Sequence, residues 1–214
     1  MLTTPDLPKA EVLTPRQNAV LECALQLLVE GGEKALTTAG VARAANCSKE
    51  SLYKWFGDRD GLLAAMITYQ ASKVRTPSGG HGAASPEEFR RNLEVFAVDL
   101  ITVIAGEVSL ALNRLAIGQA DRDGARLGQL LRGHGRLPIE LRARALIETG
   151  RRHGHLYYVD VAEVYETLYG LIVRDLHVRY LLGEAPEARA EVIEARARLS
   201  IDQFFRLYGR GEAN

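Results

Sequence analysis

The chain has 214 residues, 47% hydrophobic and 25% charged, the balance of a soluble globular protein with room for one large domain or two modest ones. No apolar run approaches the ~20 residues that cross a bilayer, and the first residues hold no basic stretch ahead of an apolar core. Neither a membrane partner nor a signal peptide is expected, and the expected location is cytoplasmic. Twenty-seven basic residues cancel 27 acidic ones, so any binding of nucleic acid rests on a local basic face.

Residues 1–13, with Pro5 and Pro8, show no period and read as a flexible arm. Thr14-Pro15-Arg16-Gln17 then starts a helix: Thr14 caps, Pro15 suits the first position, and Gln17 bonds back as in a capping box. Val20, Leu21, Ala24, Leu25 and Leu28 form its apolar stripe, and Gly31-Gly32 ends it. Thr37 caps a short second helix, with Leu36 packed on Val41 as a hydrophobic staple. Gly40 weakens that helix by up to ~1 kcal/mol relative to alanine. Asn46, which tolerates a left-handed backbone, makes the turn, and Ser48 caps a third helix that runs through Phe56. Gly57 closes it. Asp58 caps a fourth helix carrying Leu62, Leu63, Met66 and Ile67.

The stretch from Thr76 to Pro86 is linker-like. Phe89, Leu93, Phe96, Leu100 and Ile104 then recur at helical spacing, and Val108, Leu112 and Leu115 continue past Gly106. Residues 121–135 are glycine-rich and charged, with room for a short helix at 127–131. Another helix is predicted at 137–152, and two long ones at about 160–182 and 187–207, Pro186 lying in the first turn of the last. No strand alternation and no repeat is present, so the fold class is all-α. Cys23 and Cys47 read as small apolar packing residues.

Two short helices joined by a tight turn suit the major groove of B-DNA. At about 100° per residue, Leu52 and Phe56 point inward while Lys49, Glu50, Ser51, Tyr53, Lys54 and Trp55 make the flanks and outer surface. The run Leu36-Thr37-Thr38, Val41-Ala42, Ala45-Asn46-Cys47-Ser48-Lys49, Leu52-Tyr53-Lys54-Trp55-Phe56 and Asp58-Arg59-Asp60-Gly61-Leu62-Leu63 resembles the TetR family signature over residues 14–68. The resemblance implies an N-terminal three-helix DNA-binding domain (14–68) joined to a larger helical domain (69–214) for effector binding and dimerisation. It implies phosphate contacts from Thr37 or Thr38, Tyr53 and Arg59, base-edge contacts from Lys49 and Ser51, and backbone or base contacts from Lys54 and Trp55. Ser48 stands in the same DNA-facing set. Asn46 replaces the usual turn glycine, and Ala39 stands where some relatives carry a long polar side chain. Glu50 is unusual: a carboxylate there either accepts from cytosine N4 or simply stabilises the positive helix start.

The resemblance makes the chain a ligand-responsive DNA-binding regulator, a repressor released by a small apolar or amphipathic effector, with a homodimer on a palindromic or pseudo-palindromic operator as partners. Tyr165, Tyr169 and His177 are the candidate pocket residues, with Tyr157, Tyr158 and Asp175 as further polar or aromatic candidates. His153 and His155, two apart, fall on different helix faces and make no metal site. No phosphate loop, His-Glu-x-x-His or serine elbow occurs, so no enzyme activity, cofactor or metal is expected. The alternatives are a helical small-molecule-binding protein or enzyme that binds no operator, and an activator without ligand.

Overall fold

The computed structural model describes residues 13–77, 85–121, 125–187 and 189–210. Residues 1–12 of the expected arm and 78–84 of the linker-like stretch lie outside these.

Helix starts follow local sequence chemistry. α1 (Pro15–Ala35) opens on a reciprocal capping box: the Thr14 amide donates to Gln17 Oε1 at 2.8 Å, and the Gln17 amide donates to Thr14 Oγ1 at 3.2 Å. Gly32, at φ 62°, breaks this helix one turn before its end. α2 (Thr38–Ala44), α3 (Lys49–Phe56) and α4 (Arg59–Ser72) follow. α5 (Pro86–Ala105) starts at Ser85, whose Oγ accepts from the Glu88 amide, and α6 (Glu107–Gly118) follows Gly106. Among the described residues, the β pairing consists of a lone antiparallel bridge between Leu156 and Gly209. The fold is all-α.

Three expectations change. The short helix expected at 127–131 is present as α7 (Arg126–Leu130), but it does not end there: it passes through a π-helical turn (Leu131–Arg136) into α8 (Leu137–Arg152) with helical dihedrals at each join. A π turn widens the helix and is invisible to a 3.6-residue period. Pro138 follows at once. It has no N–H to place, so the ladder can change spacing there without stranding a donor.

The helix expected at 160–182 is broken in two, α9 (Val161–Val173) and α10 (Leu176–Leu181), by Arg174 at φ 47°. The break turns Leu176 and Tyr180 into the core, where α10 packs on α5 and α6. The last helix, α11 (Ala190–Tyr208), begins after residue 187, and Pro186 lies outside it. The Glu187 amide is instead donated to the Tyr180 hydroxyl at 3.3 Å, which ties the chain back to α10.

Two apolar cores result. The first joins α1–α4 through Val20, Leu21, Leu52, Phe56 and Met66, and also takes in Leu112 of α6 and Leu127 of α7. Cys23 and Cys47 pack against it as free thiols. The second joins α5, α8, α9, α10 and α11 through residues such as Phe89, Leu93, Phe96, Tyr165, Ile172 and Phe204. α4 therefore belongs to the first core, and Val74, two residues past its end, belongs to the second.

No single helix among the described residues is long and apolar enough to cross a membrane. α5 and α6 pass that test only as a pair, but they are bent by 59° at Gly106 and bury their apolar faces in the cores.

Gly150 of α8 marks the tightest packing of the second core. A Cβ there would lie 2.2 Å from the Phe89 ring. Gly150→Ala is expected to destabilise the protein by about 1–3 kcal/mol despite alanine's better helix propensity, read as a lower denaturant midpoint. An unchanged or raised midpoint contradicts this packing.

Candidate nucleic-acid interface and internal cavity

The α2–turn–α3 unit is fixed by its own polar groups. Thr37 Oγ1 accepts from the Gly40 amide at 3.0 Å, and Ser48 Oγ accepts from the Ser51 amide at 3.0 Å while lying 2.9 Å from Ser51 Oγ. Asn46 takes the left-handed conformation, φ 48°. Gly40 has a reason to be glycine: a Cβ there would stand 2.6 Å from the Ala35 carbonyl oxygen, so what α2 loses in propensity allows a close approach of the chain entering it. Arg16, from the first turn of α1, donates through Nη2 to the carbonyls of Ala45 and Asn46 at 2.7 and 2.8 Å. Those carbonyls end α2, so a cation there also meets the negative end of the helix. Sequence reasoning missed Arg16, because the partner lies some 30 residues away.

On α3, Leu52 and Phe56 are buried, and Lys49, Glu50, Tyr53 and Lys54 are exposed. Ser51 is half-buried, its hydroxyl turned to Ser48. Trp55 is also half-buried, packed on the first core with its ring edge-on to Phe56 at 6.2 Å. Thr37 and Arg59 are exposed and Thr38 is half-buried. Arg43, exposed in the last turn of α2, adds a cation that sequence reasoning had not singled out. From Thr37 to Arg59 there are four basic residues (Arg43, Lys49, Lys54, Arg59) and two acidic ones, Glu50 and Asp58. Asp58 is spent on capping: the Gly61 amide donates to its Oδ1 at 2.8 Å and holds its carboxyl below the usual carboxylate range. The exposed face is locally basic although the chain is neutral.

A cavity of about 510 Å³ lies between α4, α5, α6, the π turn and α8–α10. Its walls are mostly apolar, with Leu100, Ile104, Leu112 and Ile139 among them. The polar side chains are Gln70, Ser109, Asn113, Arg132, Arg136, Tyr165, Tyr169 and His177. Tyr165, Tyr169 and His177 thus stand together in one wall. Tyr157 and Asp175 do not join them; both are exposed on the surface. Tyr158 packs against the second core instead. Gln70, Ser109, Asn113, Arg132 and Arg136 were not foreseen, because their approach to one another depends on how distant helices pack. Burial pushes the Tyr165 and Tyr169 phenols up, and it pushes the His177 imidazole down, helped by the Arg136 guanidinium. At neutral pH the phenols are therefore protonated and His177 is uncharged.

α4 runs from the α2–turn–α3 unit to this cavity. Its first turn pairs Asp60 with Arg126 of α7. Its last turns give Gln70 and Ala71 to the cavity wall, and Arg142 of α8 donates to the Ala71 carbonyl at 2.9 Å.

Residues 20–66 match the family model described as bacterial regulatory proteins, tetR family, and residues 91–210 match the AefR-like transcriptional repressor, C-terminal domain. The chain belongs to the TetR family. A TetR transcriptional regulator from Agrobacterium tumefaciens, known from its crystal structure, is 62% identical, with a TM-score of 0.80 over 94% of this chain and 97% of that one. The uncharacterised HTH-type transcriptional regulator YdeS of Bacillus subtilis is 27% identical over 78% of this chain and 86% of its own. A 23% likeness to phosphate acyltransferases of Coxiella burnetii covers 53% of those enzymes and does not displace the family. This TetR-family member is a DNA-binding transcriptional regulator, not an enzyme.

Arg16→Ala is expected to leave two carbonyls at the end of α2 without their donor, a cost on the order of 1 kcal/mol. Amide exchange at residues 45–48 should then accelerate while the second core keeps its protection. Uniform protection in the variant would show that Arg16 does not hold the turn.

Proposed function

We propose that this TetR-family regulator is a homodimeric repressor that grips a palindromic operator through α3 and is released when a small effector fills the cavity. The observation that carries the reading is α4: one helix of 14 residues starts at the reading head and ends in the cavity wall. A ligand that prefers the cavity shape of the non-binding state shifts the population toward it, by no more than that preference allows. The cavity's size and apolar lining suit a small organic molecule.

Each reading head alone offers few base contacts, so two heads spaced one helical turn apart supply the specificity. The outer side of α11 supports pairing of two copies: Val192 and Leu199, seven residues apart, share a face and are both exposed in the single chain. On the operator, Lys49 and Ser51 reach base edges. Tyr53, Lys54 and Arg59 contact the backbone, joined by Thr37 and Thr38 at the start of α2. Ser48 and Trp55 serve mainly by shaping α3, which their capping and half-buried positions support. These roles predict protection of a palindrome in DNA beside the regulator's own gene when footprinted, lost on addition of effector. No protected site under any ligand condition removes the proposal.

Three variants sharpen it. Lys49→Ala and Tyr53→Ala, both at exposed positions, should each weaken operator binding by about 1–3 kcal/mol with an unchanged melting temperature. Wild-type affinity in both contradicts the placement of α3 in the groove. Glu50→Ala separates the two readings of that carboxylate. A changed base preference at one operator position marks cytosine recognition, whereas the same preference with slightly lower stability marks a helix-start role.

A further inference from the structure

The buried side-chain atoms left without a protein partner are not scattered. Among the described residues there are six, and three of them, Tyr165 Oη, His177 Nε2 and Gln70 Oε1, belong to residues lining the one cavity. Tyr165 is only 2% exposed, so its hydroxyl has neither water-facing surface nor a protein acceptor. An unmet buried hydroxyl is costly, and a complementary ligand removes the cost.

The charges of the cavity are one-sided. Two guanidinium groups, those of the exposed residues Arg132 and Arg136, line it, and no carboxylate does among the described residues. Arg136 forms no ion pair with a described residue; its guanidinium lies over the Tyr169 ring, 5.1 Å from the centroid. Glu140, the acidic group nearest in influence to Tyr165, is engaged by Arg144 one turn on. The Tyr165 phenol, held protonated by burial, can only offer its proton to an acceptor there or take one from a donor. Beside an unpaired cation, an acceptor is favoured. Ser109 and Asn113 of α6 add neutral polar groups, the Asn113 amide donating to the Ser109 carbonyl, and the remainder, including Leu100, Ile104, Leu112 and Ile139, is apolar.

We propose that the effector is an organic anion, a carboxylate on an apolar body, whose carboxylate lies between Arg136 and the Tyr165 hydroxyl. This rests on the reading of the cavity as the effector site. The His177 ring, uncharged, supplies a further polar edge beside the carboxylate without adding charge. A metal ion or an organic cation finds no counter-charge in this wall. A neutral apolar molecule fills the space but leaves the buried Tyr165 hydroxyl unmet.

The test uses the full-length protein and matched probes that differ only in the head group: 2-naphthoate, 2-naphthamide and 2-naphthylmethylammonium, with decanoate and decanamide as a second body. Binding is read by calorimetry and by thermal shift. Carboxylates are expected to bind the wild type ~10-fold or more tightly than their amides, because charge-assisted bonds to the anion outweigh neutral ones. The ammonium probe should bind weakest. Arg136→Gln should bring carboxylate and amide to equal affinity, Arg136→Lys should keep the preference, and Tyr165→Phe should reduce it several-fold while leaving amide binding in place. Persistence of amide binding in each variant shows that the cavity is intact. Equal binding of carboxylate and amide by the wild type, or a preference for the ammonium, overturns the anion inference and leaves the effector cavity standing. Failure of every probe to bind the wild type overturns both.

Discussion

α4 is the element on which the rest of the structure depends. Its first half is buried in the N-terminal core through Leu62, Leu63, Met66 and Ile67, and its second half meets the cavity and the body. Four side-chain links pin it along its length: Arg126 to Asp60, Tyr69 to Glu22 of α1, Arg142 to the Ala71 carbonyl, and Arg75, just beyond it, to Asp99 of α5. At 1.5 Å per residue the helix is about 21 Å long. A rigid rod of that length, packed in the first core and tied at its far end to α8 and α5, cannot tilt at one end without moving the other. Packed cores accommodate such a tilt by switching between discrete arrangements rather than by stretching.

The cavity owes its shape to two departures from regular helix. The π turn at Leu131–Arg136 widens the helix and places Arg132, Gly135 and Arg136 in the wall. Gly135 lies so near α4 that a Cβ would stand 3.1 Å from Ile67, so the π turn and α4 are packed backbone against side chain. The break at Arg174 swings α10 inward and brings His177 and Leu181 to the same space. Straight helices through both stretches would leave these residues elsewhere on the surface.

What could be read from the sequence is what local chemistry decides. The caps at Thr14, Thr37, Ser48 and Asp58, the left-handed Asn46 and the inward pair Leu52 and Phe56 all depend on groups within a few residues of one another, and all are found where expected. What could not be read is what distant packing decides. The bend at Arg174 serves contacts of α10 with helices some 70 residues earlier. The π turn hid behind a composition that suggests a loop. Gly40 looked like a weakness until the Ala35 carbonyl was seen beside it. Of the cavity, Tyr165, Tyr169 and His177 were legible as polar and aromatic residues on apolar helices, but Gln70 and the two arginines needed the fold.

Three arginines share a task that bears on how this sequence can drift. Arg16, Arg114 and Arg142 each turn a guanidinium onto main-chain carbonyls at or near the end of a helix: Ala45 and Asn46 after α2, Tyr180 and Leu181 at α10, and Ala71 in α4. Arg114 reaches two carbonyls through two different nitrogens, Nε and Nη2, a span that the single ammonium of lysine does not match, whereas Arg16 meets both of its carbonyls through Nη2 alone. Substitution of arginine by lysine, ordinarily counted among the mildest, is therefore not mild at Arg114, and a tally of basic residues overstates the charge the molecule can turn toward a nucleic acid.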